Sequence, residues 1–373
     1  MTTPRFTISI PNFNYGRYLG EALRSVLDQE GVDLDVVVSD NASTDASVEV
    51  ARRFEDPRLR VEVNPCNVGF AANLDRAVGP GQGDWVLLLS SDDVLTAGAL
   101  ARYAEVIATL GAAERVVIGA SCSVIDAEGN RTGRQGPPPW AWTKEDLDPT
   151  LTAQLGSDTY RVAAPVLLRR CLASMRNPLI FAATTYPRSL HHAVGGYGGA
   201  RLSNPDKWFV WRVLGVADEV VFVDDELAGY RVHGANQSDL QAAEGGLRHL
   251  VDEYATTLEV SDGLLDRAGM RREDVQRSFL RQDIALRGFA ELLQGRRSAA
   301  RRRVGFGIAT YPQLARTDPA LWTLRALCAV GPLGTFAART VRNTPSMWGS
   351  AIVAKLLGSS AVGRIELEAD GAG

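Results

Sequence analysis

The chain has 373 residues, which is long enough for a substantial core and for more than one folding unit. With 45% hydrophobic and 23% charged residues, the composition excludes a disordered, collagen-like or coiled-coil protein. The formal net charge of -4 argues against a nucleic-acid partner.

Charge is unevenly distributed along the sequence. From residue 241 onward there are 18 Lys+Arg and 14 Asp+Glu, whereas the first 240 residues hold 22 and 30. A solvated helical face explains a mildly basic C-terminal region, and contact with anionic lipid or polymer is the alternative.

Cysteine usage and hydropathy favour a cytoplasmic location. The four cysteines are scattered, without metal-ligand spacing or a disulfide framework. We see no signal peptide, and no stretch reaches the roughly 18 apolar residues of a transmembrane segment. Residues 319–338 come nearest and are predicted to form a buried or interfacial helix. We expect a cytoplasmic protein, with peripheral membrane contact as a second option.

The first 120 residues alternate between strand and helix patterns. Strands are predicted at 6–10, 34–38, 60–63 and 84–89, and helices at 16–29, 46–54, 71–78 and 99–110. This alternation indicates βαβ units and a mostly parallel sheet. In such sheets, ligands bind at the carboxyl ends of the strands.

Fewer regular elements are evident in the rest of the chain. Strands are predicted at 115–121 and 219–223, and a helical pattern begins near 241 and is clearest at 279–293. Residues 133–142 read as an irregular loop or lid because they are rich in Pro, Gly and Trp. Its aromatic residues could stack on a sugar ring or serve as a hydrophobic latch, and the sequence leaves both open.

Polar motifs follow three of the predicted strands. Residues 11–15 (PNFNY) open a loop after the first strand. After the second, Asp40 could accept a hydrogen bond from the imide N–H of a pyrimidine, while a residue of 43–45 caps the next helix. After the third, Gly69 permits an unusual backbone or close approach of a ligand, and Asn73 falls in the following helix. A turn or helix entry is the alternative for each motif.

Residues 90–93 (SSDD) follow the fourth strand and form the sharpest motif. Adjacent carboxylates repel each other and are costly unless a cation lies between them. Oxygen ligands of this kind suit Mg2+ or Mn2+ bound together with substrate phosphates. The alternative is that Asp93 caps the next helix. Further along the chain, Arg231, His233 and Asn236 follow an apolar stretch together, in the manner of a phosphate or metal clamp.

Taken in order, these motifs resemble the family 2 glycosyltransferases of the GT-A fold. The resemblance covers about residues 5–240. It implies an α/β protein with a Rossmann-like, mostly parallel sheet flanked by helices. Residues 1–120 would form the nucleotide-sugar-binding half and 121–240 the acceptor-binding half of one domain. Residues 241–373 would form a helical C-terminal region.

Two residues depart from the family's motifs. Ser90 stands where the metal motif usually has its first acid, so Asp92 becomes the main carboxylate on the metal. Lys207 stands where many members have the catalytic Asp. The resemblance therefore assigns the general base to Asp206, which is the only carboxylate in that stretch.

The resemblance implies an inverting transferase that moves a hexose or N-acetylhexosamine from a UDP-sugar to an acceptor hydroxyl, with Mn2+ or Mg2+ as cofactor. The acceptor would be a glycan, a lipid-linked sugar or a small molecule. Metal ligands would be Asp92, Asp93 and His233. Donor-binding residues would be Pro11, Phe13, Asn14, Asp40, Asn67, Gly69, Asn73, Ser91, Asp92 and Arg231.

Other functions and partners stay open at this point. A nucleotidyltransferase shares a metal-acid site on a parallel sheet, and a catalytically silent sugar-binding protein could use the same scaffold. The loop after the first strand lacks the Gly-rich basic motif of a nucleotidyltransferase. The C-terminal helices could pair two chains as a homodimer or lie on a membrane surface.

Overall fold

The computed structural model describes residues 4–111, 114–198, 205–234 and 247–330. The chain divides into two compact units, residues 1–171 with 176–244 and residues 172–175 with 245–373. The division of the first unit into a donor half and an acceptor half stays a prediction.

The first unit is built on one large sheet. Its strands in the described residues are β1 Arg5–Asn12, β2 Asp33–Asp40, β3 Leu59–Val63, β4 Trp85–Leu88, β5 Val94–Leu95, β6 Val116–Ile125, β7 Arg131–Gln135, β8 Thr159–Ala163, β9 Thr184–Pro187 and β10 Glu219–Arg231. The order across the sheet is β3-β2-β1-β4-β9-β6-β10-β5, and β7 and β8 pair with β6 and β10 respectively.

Helices cover both faces of this sheet. They are α1 Gly16–Leu27, α2 Ser47–Arg52, α3 Phe70–Val78, α4 Ala99–Leu110, α5 Pro149–Leu155, α6 Ala164–Ser174, α7 Arg188–Ala193 and α8 Pro205–Val216, with short 3-10 turns at Lys144–Asp146 and Phe181–Ala183. Central strands such as β1 and β4 are buried along nearly their whole length, because parallel strands are covered on both faces.

Parallel pairing brings the loops of the first three motifs together. β1 pairs with β2 and β4, and β2 pairs with β3, all in parallel. Asn12, the last residue of β1, lies opposite Asp40, the last residue of β2. The loops after β1, β2, β3 and β4 therefore leave the sheet at one edge.

The sheet is mixed because several strands that the sequence did not predict run antiparallel. β9 lies antiparallel between β4 and β6, and β5, β7 and β8 add further antiparallel pairs. The prediction of irregular structure over 133–142 was wrong for residues 133–135, which belong to β7. Strand β7 carries mostly exposed polar side chains, so it lacks the apolar alternation that marks a half-buried strand.

The second unit is helical in its described part. Its helices are α9 Leu247–Glu259, α10 Asp262–Ala268, α11 Arg272–Phe279, α12 Arg287–Leu293, α13 Arg297–Thr310, α14 Pro312–Thr317 and α15 Pro319–Ala329, with a π-helical segment Leu280–Leu286 joining α11 to α12. Asp318 caps α15 by accepting hydrogen bonds from Ala320 N and Leu321 N. The helix predicted at 319–338 is present to Ala329, and residues 331–338 lie outside the described part.

Candidate active site

A cavity of about 350 Å³ opens at the edge where β1, β2 and β4 end. It is lined by Pro11, Asn12, Phe13, Tyr15, Asn41, Asn67, Phe70, Asn73, Ser90, Ser91, Asp92, Asp93 and Tyr230. Four asparagines and two aspartates converge here with exposed aromatic rings. Such a combination can bind a ligand that has both a flat ring and a polar, charged part.

The structure brings together about half of the predicted site residues at this cavity. Those that line it are Pro11, Phe13, Asn67, Asn73, Ser91, Asp92 and Asp93. Those that do not are Asn14, Asp40, Gly69, Asp206, Arg231 and His233.

Asp40 is buried and uses its carboxylate to hold the chain. One oxygen accepts hydrogen bonds from Asn12 Nδ2 at 2.8 Å and Ser43 Oγ at 2.6 Å, and the other accepts from Ser43 N at 2.9 Å. Both carboxylate oxygens thus already accept hydrogen bonds within the protein, and the bond from Asn12 means that Asp40 fixes the orientation of the Asn12 amide. The expected contact between Asp40 and a pyrimidine stays a prediction.

Asn12 is a site residue that sequence reasoning missed. It lines the cavity and is buried, and its Oδ1 has no hydrogen-bond partner among the described residues. Because Nδ2 points at Asp40, Oδ1 is the free acceptor of this amide. The signal was present in the PNFNY motif, where an amide directly follows Pro11 and is the last residue of the buried strand β1.

Asn14 ties the first two loops together rather than lining the cavity. Its backbone adopts φ 59°, a left-handed conformation that Asn tolerates better than most residues. Its Oδ1 accepts a hydrogen bond from Thr44 N at 2.8 Å, and its N–H donates to Ser43 Oγ at 2.9 Å. The donor-binding role predicted for Asn14 is thus an indirect one in this structure.

A network of amides orders the loop between β3 and α3. Asn73 accepts from Ser39 Oγ at 2.8 Å and from Asn64 Nδ2 at 2.9 Å. Asn67 Oδ1 accepts from Asn41 Nδ2 at 2.9 Å and from Gly69 N at 2.9 Å. The Oδ1 bonds of Asn67 fix its amide, while the side chain stays exposed. Gly69 precedes α3 with φ 87° and ψ 163°, a conformation that is essentially restricted to glycine.

Two phenyl rings stand at the cavity with unusual exposure. Phe13 and Phe70 are each 41% exposed, and both line the cavity. Within the described residues neither ring contacts another aromatic ring. Phe70, which the sequence did not single out, begins α3 directly after Gly69. Both rings are therefore available to stack against a flat ligand.

Asp92 and His233 form a close pair beside the cavity. His233 Nε2 lies 3.1 Å from Asp92 Oδ2, and the two side chains are 6% and 13% exposed. Burial raises the pKa of the Asp92 carboxyl, and the hydrogen bond from His233 opposes this rise. The imidazole stacks on Tyr18, with ring centroids 4.8 Å apart, which fixes its position.

The spacing of this pair fits two neighbouring ligands of one divalent cation. Adjacent ligands of an octahedral Mn2+ or Mg2+, each at about 2.1 Å, stand about 3.0 Å apart. In the described residues no group of three His, Cys, Asp or Glu side chains is arranged to hold a metal ion, at this site or at any other. The remaining ligands would have to come from hydroxyls, water or substrate phosphates.

Asp93 is engaged by the backbone. Its Oδ1 accepts a hydrogen bond from Arg231 N at 2.8 Å, and the residue is 2% exposed. Burial raises the pKa of this carboxyl well above its usual range, and the neighbouring Asp92 adds to the rise. The prediction that Asp93 serves as a second metal ligand is weakened, because one of its oxygens is committed to strand β10.

The position of Arg231 does not fit the predicted phosphate clamp, and Asn236 of that prediction lies outside the described residues. The residue is fully buried, so its guanidinium does not reach a ligand in the cavity. Nε donates to Asp92 O at 2.7 Å, and Nη1 donates to Asp126 O at 3.1 Å. Nη2 donates to the Glu21 carboxylate at 2.8 Å. Arg231 therefore fixes the SSDD loop from a buried position, without lining the cavity.

Tyr15 is a second cavity residue that the prediction left out. It lies beside the His233 ring, with centroids 5.7 Å apart. Burial, together with the nearby Asp92 and Asp93 carboxylates, raises the pKa of its hydroxyl to about 12. The hydroxyl consequently stays protonated over the physiological range. Its place in the PNFNY motif was the available signal.

Asp206 lies in a different pocket of the first unit. It is the second residue of α8, and its Oδ2 accepts a hydrogen bond from Asn177 Nδ2 at 3.3 Å. The pocket is mostly apolar and includes Phe181, Tyr197 and Phe209. Lys207 is buried, with Nζ over the Trp211 ring at 5.2 Å. The assignment of Asp206 as the general base stays a prediction.

Comparison with known families identifies part of the chain. The sequence profile of glycosyl transferase family 2 matches residues 7–176. Residues 7–176 belong to this family. They contain β1 to β4 and the SSDD loop, whereas Asp206, Arg231 and His233 lie beyond the match. The predicted resemblance to the family 2 glycosyltransferases is thereby confirmed for this part of the chain.

Two curated relatives show how far the similarity extends. The succinoglycan biosynthesis protein ExoO of Rhizobium meliloti (strain 1021) is 32% identical over 102 residues, 27% of this chain and 29% of that protein. An uncharacterized glycosyltransferase of Nostoc sp. is 24% identical over 245 residues, 62% of this chain and 66% of that protein. The matches thus span from less than a third to about two thirds of these relatives' lengths.

Solved structures share the fold. The TarS fragment 1-349 of S. aureus, in complex with UDP-GlcNAc, superposes with a TM-score of 0.59 at 18% identity, covering 90% of each chain. The mannosyltransferase PcManGT of Pyrobaculum calidifontis, in complex with GDP-Man and Mn2+, gives 0.51 at 15% identity, covering 99% of this chain and 88% of that one. The predicted GT-A type α/β fold with a helical C-terminal region is confirmed. In the described part of the chain, no helix has both the length and the apolar character needed to cross a membrane.

Proposed function

We propose that the protein transfers a hexose or N-acetylhexosamine from a UDP-sugar to an acceptor hydroxyl, with a divalent cation and with inversion at the anomeric carbon. The observation that carries this proposal is the cavity of about 350 Å³ at the ends of β1, β2 and β4, with the Asp92–His233 pair beside it. Its aromatic rings can stack on a nucleobase, its amides can hydrogen-bond to the base and the sugar, and its carboxylates can bind the cation that accompanies a diphosphate. The complexes of TarS with UDP-GlcNAc and PcManGT with GDP-Man support a nucleotide-sugar donor.

The nucleobase would lie between Phe13 and Phe70. Stacking on an aromatic ring contributes about 1–3 kcal/mol per base. Asn12 Oδ1, which has no partner among the described residues, is suited to accept the imide N–H of uracil, and Asn67 presents an exposed amide at the same cavity. In this arrangement Asp40 acts through Asn12, because its carboxylate fixes the Asn12 amide.

The diphosphate would lie towards Asp92 and Ser91, with Mn2+ or Mg2+ bound by Asp92 and His233. When bound, the metal ion would supply Lewis-acid stabilisation of the charge that develops on the leaving diphosphate, worth several kcal/mol. Because this pair supplies at most two protein ligands, the protein should bind the metal ion weakly until the diphosphate adds further oxygen ligands. The imidazole ligand favours Mn2+ over Mg2+.

Asp206 would accept the proton of the acceptor hydroxyl as this oxygen attacks the anomeric carbon. General-base catalysis of this kind contributes about 10² to 10⁴-fold to the rate. Asn177 donates to the Asp206 carboxylate and so orients it. One displacement, with attack opposite to the leaving diphosphate, inverts the configuration.

The acceptor would be a glycan, a lipid-linked sugar or a small molecule. Trp140, partly exposed and with the Arg176 guanidinium 5.5 Å from its ring centre, is a candidate platform for a sugar ring. The buried Trp142 acts as a latch over the core. Cytoplasmic location and homodimer formation through the C-terminal helices stay predictions.

A thermal-shift and calorimetry panel of nucleotide sugars, with and without Mn2+, tests the donor class. We expect UDP and one UDP-sugar to stabilise the protein, with a larger shift in Mn2+. Asp92→Ala should remove the metal-dependent part. Asp28→Ala, a change at an exposed acid after α1, should behave like the wild type.

The same samples separate the rival functions. Slow release of UDP from the best UDP-sugar in Mn2+ would exclude a silent sugar-binding protein. A nucleotidyltransferase would instead bind a nucleoside triphosphate best. It would release pyrophosphate when a sugar phosphate is added as the second substrate. Equal Mn2+-dependent binding of UDP by wild type and Asp92→Ala would overturn the proposed metal site.

A further inference from the structure

The C-terminal part of the sequence contains a long stretch that is almost free of acids. Between residues 292 and 365 there are eleven Lys or Arg residues and one acid, Asp318. Asp318 is 1% exposed, caps α15 and pairs with Arg281, so it contributes no negative charge at the surface. The basic character of the second unit is therefore concentrated in its last part.

Five described arginines of this stretch are exposed and uncommitted. Arg316 lies on α14, and the other four, on or beside α13 and α15, are Arg296, Arg301, Arg302 and Arg325. Across the described residues, none of their guanidinium groups has a hydrogen bond or an ion pair. By contrast Arg303, the neighbour of Arg302, is buried and bound to the Glu291 carboxylate at 2.8 Å. The protein thus satisfies the arginine that it buries and leaves these five facing solvent.

Helices α13 and α15 bring the four arginines on or beside them onto neighbouring faces. Arg297, in the first turn of α13, donates from Nε to the Cys328 carbonyl near the end of α15 at 2.8 Å. Arg297 and Arg301 both act on the Cys328 thiol, opposing the rise of its pKa that burial causes. The first turns of α13 therefore lie beside the end of α15.

The exposed face of α15 adds a large apolar residue. Trp322 is 63% exposed, the highest value among the large exposed hydrophobics of the described residues, and Val330 is 57% exposed. Trp322 and Arg325 are three residues apart and so lie on the same face of the helix, whereas Leu321, Leu324 and Cys328 face the core. An exposed indole beside an uncommitted arginine on one helix face, with further uncommitted arginines on the neighbouring helix, is typical of a surface that meets a membrane interface.

We propose that Arg296, Arg301, Arg302, Trp322 and Arg325, here called the arginine–tryptophan surface, bind the surface of an anionic lipid bilayer. The arginines meet the lipid phosphates, and Trp322 enters the headgroup region. A second copy of the chain is disfavoured as the occupant, because two such surfaces would repel each other. A soluble polyanion would engage the arginines but would not take up the indole in an apolar layer.

Flotation of the full chain with vesicles of phosphatidylcholine, with and without phosphatidylglycerol, tests this proposal. We expect binding to the anionic vesicles, weakened by high salt because the contact is electrostatic. Each arginine at such a surface changes binding about fivefold, so Arg296→Gln/Arg301→Gln/Arg302→Gln should weaken the partition by about 100-fold. Trp322→Ala should weaken it by about tenfold.

A matched control uses three arginines of the same unit that are paired with acids. In Arg271→Gln/Arg272→Gln/Arg277→Gln the same charge is removed from groups bound to Asp274, Asp262 and Glu273. This control should float like the wild type. Equal loss of binding in both triple variants would overturn the proposal, because net charge alone would then explain it.

Three further results would also overturn it. They are no flotation of the wild type, retention on heparin without flotation, and a dimer in light scattering that the triple variant loses. UDP binding should be unchanged in all variants, so failure here is separable from failure of the proposed donor site.

Discussion

Arg231 shows how one buried side chain organises a site that it does not line. Its guanidinium is fully buried yet joins the loop after β4, the turn after β6 and the Glu21 carboxylate on α1. Its backbone N–H also binds Asp93. An arginine has five donors in a fixed fork, which suits this number of fixed partners better than lysine does.

Replacing Arg231 should therefore affect stability first. Arg231→Ala leaves buried carbonyls without donors, so we expect it to lower the free energy of unfolding by about 3 kcal/mol. Arg131→Ala, which breaks an exposed pair with Glu226, should leave the free energy of unfolding nearly unchanged. Urea unfolding measures both. Unchanged stability with loss of UDP binding would instead restore Arg231 to a direct phosphate contact.

His191 is a buried titratable residue beside the pocket of Asp206. Burial, helped by His192, Arg188 and Arg212, lowers its pKa to about 4. Asp75 lies 3.5 Å from its Nε2, but burial raises the pKa of the Asp75 carboxyl. Burial thus disfavours the charged form of both groups, and an ion pair between them would add little stability. The folded protein therefore holds His191 neutral among aromatic rings.

This lowered pKa predicts a loss of stability in mild acid. Between pH 6.5 and 4 the unfolded chain binds a proton at His191 and the folded chain does not, so stability falls as pH falls. From pH 7 to pH 4.5 the loss amounts to about 2 kcal/mol. In His191→Phe, which keeps an aromatic ring, the difference in unfolding free energy between these pH values should shrink by that amount. Urea titrations at both pH values measure it, and an unchanged difference would contradict the assignment.

At the scale of elements, the segment after β7 combines an anchor with an exposed ring. Trp142 is 3% exposed and packs on Phe222, with ring centroids 5.3 Å apart. Arg170 fixes the same turn by donating to Ala141 O at 2.8 Å and pairing with Asp146. Trp140, two residues before Trp142, keeps part of its ring exposed.

The two tryptophans should respond differently to truncation. Trp142→Ala should lower the free energy of unfolding by about 3–5 kcal/mol because it empties a packed site. Trp140→Ala should cost less than about 1 kcal/mol, since it loses little more than its cation–π contact with Arg176. If Trp140 stacks on the acceptor, its variant should raise KM for the acceptor and leave UDP binding unchanged. A large stability loss in Trp140→Ala would show that both rings serve as latches.

Elements whose apolar residues repeat with a regular helical spacing could be predicted from the sequence. The boundaries of α1, α3 and α4 lie within two residues of the prediction, because their apolar stripes are complete and local. Strands β7 and β9 escaped notice for a physical reason. β7 is polar and exposed, and β9 has four residues and ends in Pro187, so neither shows a pattern that local sequence can reveal.

Site residues were predicted by type more reliably than by role. The sequence placed Asp92 and His233 in one site, and the structure brings them to 3.1 Å. It could not show that Asp40, Asp93 and Arg231 are engaged by other residues, since the bonds from Asn12 to Asp40 and from Arg231 to Asp93 join positions 28 and 138 residues apart. The role of Asn12 depends on the same bonds and was hidden for the same reason.

On the scale of the whole first unit, the proposed donor site and the proposed base lie in two pockets. Among the described residues the cavity at Asp92 and the pocket at Asp206 share no lining residue, although β4 contributes Leu88 to one and leads into Ser90 of the other. An acceptor must therefore bring its hydroxyl from the Asp206 side to the end of β4. Donor binding and proton removal should accordingly be separable by mutation.

Asp206→Asn tests this separation. It should lower the transfer rate by about 10² to 10⁴-fold, because the acceptor hydroxyl loses its base, and leave Mn2+-dependent UDP binding nearly intact. Asp218→Asn makes the same change at an exposed carboxyl of the same unit, 3.8 Å from Arg115, and should transfer sugar at the wild-type rate. Transfer is followed as UDP release that depends on acceptor, and UDP binding by calorimetry. Full transfer by Asp206→Asn would rule out Asp206 as the base, whereas loss of UDP binding together with transfer would show that the two pockets act as one.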